Sequence, residues 1–180
     1  GILPRNYSFR AIRSILFQRK ALFYNSLFSI FFSVLVSFCT LLSAYCTAKW
    51  QSEHKESGIL SFFIFLPFMI PSSVFAMGAQ VLFLQLPLKN AYLSVFLSHV
   101  LYSLPYATSY LTEGMEGKIK RLEEQGRVFG ASGLYLLYRV SIPLLMPYLI
   151  PAFMMSFILS MSQYILTVLL GGGKLKTLSL

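Results

Sequence analysis

Charge is what this chain has least of. Only 12% of its 180 residues are charged, against roughly a quarter in an ordinary soluble domain. Aspartate is absent, and the six acids, all glutamates, face 15 Lys+Arg for a net charge of +9. Two cysteines are too few for a small disulfide scaffold. Two isolated histidines and no carboxylate cluster leave no metal-ligand spacing. A Gly-x-x-x-x-Gly-Lys-Ser/Thr loop is also missing, so the chain has no phosphate cradle of its own. No internal repeat or low-complexity segment is evident. What is abundant is apolar: 56% hydrophobic residues, with 17 Phe and 11 Tyr, which excludes a disordered tail. A basic excess often marks nucleic-acid binding, but such proteins carry it on a soluble face. Here the charges sit in short segments between long uncharged runs, and no nucleic-acid partner is expected.

Those runs define an integral membrane protein. Ala21–Ala48, Ser57–Leu88, Asn90–Thr112 and Val140–Gly173 contain no Asp, Glu, Lys or Arg. Each reaches the ~20 residues that cross a bilayer as a helix. None alternates as a β-barrel strand would. The fold expected is an all-α transmembrane helical bundle with about four spans, centred on Ala21–Tyr45, Ile59–Met77, Tyr92–Leu111 and Ile142–Leu170. Pro143, Pro147 and Pro151 crowd the start of the last, placing part of it at the interface. Apart from His99 no ionisable side chain lies within a core span, so a proton relay of carboxylates is absent. Active transport by such a chain needs an external source of work.

Residues 1–20 form a basic flank in which Arg10, Arg13, Arg19 and Lys20 alternate with Phe9, Ile12, Ile15, Leu16 and Phe17. That pattern suits an amphipathic helix on the membrane surface, or equally a basic anchor for the first span. No signal peptide is read there. The start at Gly1 and the stop at Leu180 after a polar turn read as a fragment. Cys39 and Cys46 read as small packing residues, since a disulfide within one helix is implausible. Trp50 reads as an interface anchor. Pro67 and Pro71 mark a hinge or a kink. Positive charges divide almost evenly between the two sides, so charge bias alone does not orient the chain.

The polar connection Thr112–Arg139 is the informative segment. Gly117–Phe129 predicts a short amphipathic helix, with Ile119, Leu122 and Val128 or Phe129 on one face and Lys118, Arg121 and Glu124 on the other. Gly130 is placed to end it in the left-handed conformation. Ser132 is placed to cap a second short helix through Arg139, and Pro143 opens the last span. The result is a helix–turn–helix elbow projecting between two spans, a candidate docking surface.

Glu124-Gln125-Gly126, three residues, Gly130, nine residues, then Val140-Ser141-Ile142-Pro143 resembles the EAA loop of ABC importer permeases. That pattern reads Glu-Ala-Ala, three residues, Gly, nine residues, Ile, one residue, Leu-Pro. The spacing agrees throughout, and the main departure is Gln125 in place of alanine. Asn25-Ser26, Leu66-Pro67 with Ile70-Pro71, and Leu104-Pro105-Tyr106 resemble other parts of the permease core. Gly171-Gly172-Gly173-Lys174-Leu175-Lys176-Thr177-Leu178 is similar to a turn in permeases for thiamine and ferric iron.

The resemblance covers residues 21–180 and implies a type I importer permease core, truncated before a last span. It implies a multi-pass protein of the bacterial cytoplasmic (inner) membrane that forms a translocation path and is not itself an enzyme. The partners implied are ATP-binding cassette ATPase subunits, a second permease half or subunit, and a periplasmic or extracellular solute-binding protein. The chain would bind no cofactor, ATP being used by the partner. The elbow would be cytoplasmic and carry ATPase coupling through Glu124, Gln125, Gly126, Gly130, Ala131, Val140 and Pro143. This places the basic N-terminal flank outside, against its local charge.

Other readings stand beside this one. His99, Ser160 and Gln163, with Gln80, Gln85 and Ser162, either line a path or bond neighbouring helices. Gly130-Ala131-Ser132-Gly133 matches the Gly-x-Ser-Gly of rhomboid-type intramembrane serine proteases. Those enzymes place a histidine base on a span after the serine, however, and none follows Ser132. A non-catalytic membrane scaffold or an ion-coupled carrier is the remaining alternative.

Overall fold

The computed structural model describes residues 19–54, 58–85, 90–115 and 118–172. Most of the basic flank 1–20 and most of the glycine-rich turn therefore lie outside the described residues. The elements are α1 (Arg19–Glu53), α2 (Gly58–Met69), α3 (Ser72–Gln85), α4 (Ala91–Met115), α5 (Lys118–Val128), α6 (Gly133–Leu136), a π-helical turn (Leu137–Ser141), α7 (Ile142–Ser162) and α8 (Tyr164–Gly171). The chain is all-α, as the uncharged runs require.

The bundle is built inside out relative to a soluble protein. Along α1, Ser29, Ser33, Ser37, Thr40, Ala44 and Ala48 are buried, while Phe23, Leu27, Phe31, Leu35, Phe38 and Leu42 are exposed. Small residues at intervals of three or four let helix backbones approach closely where no water drives them together. Large apolar side chains on the outer face suit contact with lipid. In α4, Ser94, Ser98, His99, Ser103 and Thr108 are buried.

Side-chain contacts fix the directions. Phe32 meets Phe96, with ring centroids 6.1 Å apart. Thr47 and Thr108 hydroxyls lie 3.1 Å apart, and Thr112 Oγ1 donates to Gln51 Oε1 at 3.1 Å. Both sequence numbers rise together, so α1 and α4 are parallel. Ser160 of α7 lies against His99, whereas Leu145 and Tyr148 lie against Gly114, so α7 runs antiparallel to them. Ala44, Ala48, Leu111, Met115, Ile119 and Leu145 form a core at one end, and Phe32, Val95, Tyr102, Leu166 and Leu170 one at the other.

The span pattern differs from the four expected. Among the described residues, Phe23–Glu53 and Gly133–Ser162 are long and apolar enough to cross a membrane, with a third only if Ser61–Met69 and Ser72–Gln85 count as one. That pair bends by 118° at Ile70–Pro71, where proline lacks an N–H and disfavours helix in the residue before it. The predicted span Ile59–Met77 is thus two helices meeting at the Pro71 break. Tyr92–Leu111 lies within α4, whose 25 residues reach about 37 Å. Its polar side faces protein and lowers its apolar content. Ile142–Leu170 is broken at Gln163, whose backbone (φ −79°, ψ 76°) is not helical. Pro147 and Pro151 lie inside continuous helix. Cys39 is half-buried and Cys46 exposed, both free, so packing accounts only for the first.

A candidate coupling elbow and a buried polar cluster

The elbow's first helix, α5, is seated by one apolar side chain and several polar links. Ile119, 5% exposed, joins the core with Met115, Leu111 and Leu145. Lys120 Nζ donates to the Ser52 carbonyl at 2.7 Å. Glu123 Oε2 pairs with Lys49 Nζ at 3.5 Å, and Ser141 Oγ donates to Glu123 Oε1. Arg127 and Glu53 pair at 3.6 Å nearer solvent. A cavity of about 100 Å³, lined by Lys49, Glu53, Glu123, Glu124 and Arg127 among others, separates α5 from the end of α1. The elbow and that end of α1 therefore lie on the same side of the bundle.

The turn follows from two glycines. Gly130 has φ +79°, where a Cβ is strained. Its N–H donates to the Arg127 carbonyl at 3.0 Å, and the Ala131 N–H to the Gly126 carbonyl at 2.9 Å. Those two bonds form a Schellman cap that satisfies the last carbonyls of α5. Gly126 is small for a different reason: an added Cβ would overlap Leu136 Cδ2, which locks α6 onto α5. Ser132 has extended backbone, and its Oγ accepts the Tyr135 N–H at 3.3 Å, so it is a helix cap.

The second arm of the elbow is not a separate helix. Gly133–Ser162 is one continuous run, bearing a π-helical turn in which the Ile142 N–H reaches the Leu137 carbonyl. Pro143 has no N–H for the Arg139 carbonyl, and its ring crowds that position, so the helix accommodates it by widening. The second arm of the elbow is thereby continuous with the long apolar run. Val128 and Phe129 do not share the buried face of Ile119 and Leu122. They are 85% and 89% exposed and stand at the tip with exposed Leu134, Tyr135 and Tyr138. Val128 stands nine residues from Ile119, about 180° round the helix, and Phe129 follows it out of the helix into the cap.

Of the residues matched to the EAA pattern, Glu124, Gln125, Gly126, Gly130 and Ala131 come together in the elbow, with Glu124, Gln125 and Gly130 exposed. Val140 sits half-buried in the π-turn, and Pro143 is exposed at the start of α7.

The second site lies at the opposite end of α7. His99 is 1% exposed. Its Nδ1 lies 3.1 Å from Ser160 Oγ and its Nε2 3.3 Å from Thr167 Oγ1. Thr167 Oγ1 donates its proton to the Gln163 carbonyl at 2.7 Å. It must therefore accept from His99, which fixes the Nε2–H tautomer and makes Ser160 the donor to Nδ1. His99 thus ties α4 to both sides of the break at Gln163. Ser162 and Gln85 are exposed and Gln80 half-buried, so only Ser160 and Gln163 join this cluster. Both ring nitrogens of His99 are engaged there, and Ser132 lies in the elbow, so the protease geometry is not assembled. Among the described residues, Thr40 Oγ1, Ser98 Oγ and Ser103 Oγ are buried without a hydrogen-bond partner.

Lys49, Lys120, Glu123, Ser141 and Thr167 escaped the sequence reading. Charges beside a span look like ordinary flanks until folding pairs residues 74 positions apart, as with Lys49 and Glu123. Thr167 carried a weak signal, being a hydroxyl four residues after Gln163 in an apolar run.

A helical bundle with small polar residues inside, large apolar ones outside, and a capped elbow leading into a long apolar helical run defines an integral membrane protein. The chain belongs to the family described as binding-protein-dependent transport system inner membrane component, which matches residues 41–180. It is 27% identical over 155 residues to the spermidine/putrescine transport system permease protein PotC of Escherichia coli K12, covering 86% of this chain and 57% of that one. It is 26% identical over 132 residues to PotC of Haemophilus influenzae, covering 73% and 50%. It is 32% identical over 146 residues to the putative 2-aminoethylphosphonate transport system permease protein PhnV of Salmonella paratyphi A, covering 77% and 55%. The chain spans about half the length of these relatives. Their named solutes differ from the thiamine and ferric iron suggested by the glycine-rich turn.

Proposed function

We propose that this chain is part of the permease subunit of an ATP-driven solute importer in a bacterial inner membrane, working with a separate ATP-binding subunit, a second permease half and a solute-binding protein. The observation that carries the reading is the elbow tip. Val128 and Phe129 are exposed, yet they are held outward by the Gly130 cap on a helix anchored to α1. An exposed apolar tip beside exposed Glu124 and Arg127 suits a protein cleft. Glu124, Gln125, Gly126, Gly130, Ala131, Val140 and Pro143 then act as the coupling segment, with the tip cytoplasmic and ATP hydrolysed by the partner.

The translocation path runs along the polar interior, past Thr40, Ser98 and Ser103 toward His99, Ser160 and Gln163. Unpaired hydroxyls there favour a polar solute over an apolar one. The solutes named for the relatives, polyamines and an aminophosphonate, are small and water-soluble, and a solute of that kind fits. The test is purification of the full-length protein in mild detergent, wild type and Phe129→Asp. The wild type should retain a nucleotide-binding subunit and ATPase activity, and the variant should lose at least nine-tenths of both without losing helicity. A wild type that retains no such subunit would contradict the reading.

A further inference from the structure

We infer that Glu123, which lies outside the EAA-like pattern, is the joint that carries elbow movement into α1 and α7 together. The inference rests on the permease reading. Glu123 is the one place where the described charges bind three elements at once. It belongs to α5, its Oε2 holds Lys49 of α1 at 3.5 Å, and its Oε1 accepts from Ser141 in the π-turn. Ser141 Oγ also lies 3.3 Å from the Leu136 carbonyl. Its single proton goes to the carboxylate, the stronger acceptor.

Burial separates this pair from the other. The Lys49 and Glu123 side chains are 30% and 14% exposed, whereas Arg127 and Glu53 are 57% and 42% exposed and more open to screening by salt. The two neighbouring glutamates thus divide the work: Glu124 is exposed beside the tip, and Glu123 is turned inward on the spans. Lys120, bonded to the last turn of α1 through the Ser52 carbonyl, braces the same joint. A single carboxylate bridging all three elements makes α5 move with α1 and the start of the long run as one body. Without it, α5 keeps Ile119, Lys120, the solvent-side Arg127–Glu53 pair and the Gly126–Leu136 contact, and its position against α1 and the π-turn is held less tightly.

The test uses the full transporter in lipid nanodiscs. Spin labels are placed on native Cys46, exposed on α1, and on Arg121→Cys, exposed on α5, in a Cys39→Ser background. In the wild type the label distance should be narrow and unchanged between the nucleotide-free and ATP–vanadate states. Glu123→Gln should widen the distribution at least twofold, and Lys49→Glu with Glu123→Lys should restore it, since Ser141 also accepts from lysine. Glu123→Gln as narrow as wild type would overturn the joint. So would a wild-type distance that shifts on trapping. The nucleotide-free arm needs no ATPase. Broadening there that the swap repairs, in a complex that hydrolyses no ATP, would establish the joint and overturn its coupling role along with the permease reading.

Discussion

The two ends of α7 are held by opposite kinds of chemistry. At the elbow, ions meet ions: Lys49 with Glu123, and Arg127 with Glu53. At the far end, neutral groups meet neutral groups, as Ser160 donates to His99, His99 to Thr167 and Thr167 to the Gln163 carbonyl in a buried chain. The elbow is further locked by the Gly126–Leu136 contact and the Schellman cap. The Gln163 end is a broken helix stapled by a histidine. Side-chain hydrogen bonds inside membranes contribute only about 0.6 kcal/mol on average, so such a staple releases easily. The difference teaches how the two ends are built: under the proposed coupling, force enters at the more tightly held end and is used at the one held by weaker bonds.

Three substitutions break or sharpen that contrast. Gly126→Val forces a branched side chain into Leu136, and overpacking of this kind costs about 1–3 kcal/mol. The expected result is elbow amides exchanging hydrogen about tenfold to a hundredfold faster, with α8 unaffected. His99→Leu removes the staple while filling its space, at a cost of about 1 kcal/mol. Exchange should rise several-fold around Gln163–Thr167 and not at the elbow. A larger effect than that of Gly126→Val would reverse the assignment of stiff and yielding ends. Arg127→Gln removes the solvent-side pair, and should change thermal stability by less than about 0.5 kcal/mol, an effect that fades as salt is raised.

Much of this was legible in the residues. Uncharged runs of more than 20 residues gave helices and a membrane, and Gly130 and Ser132 marked the turn because each meets a local backbone need. The match over Glu124–Pro143 located the elbow. What could not be read was long-range or collective. Lys49 and Glu123 look like flanking charges until the bundle forms. The inversion of α1, with serines inside and all its phenylalanines but Phe32 outside, depends on which face meets α4 and α7. The continuity of Gly133–Ser162 was hidden because Pro143 reads as a helix start, and a π-turn leaves no mark in sequence. The break at Gln163 has neither glycine nor proline to announce it.

The central claim is that the elbow tip seats in an ATP-binding partner. Its most direct test is Phe129→Cys in the assembled full-length transporter, treated in the native membrane with a short bifunctional thiol cross-linker and resolved by mass spectrometry. The account predicts one dominant adduct, to a nucleotide-binding subunit, whose yield changes on addition of ATP and vanadate. Adducts to lipid-facing or periplasmic proteins, with no nucleotide-binding subunit among them, would contradict it.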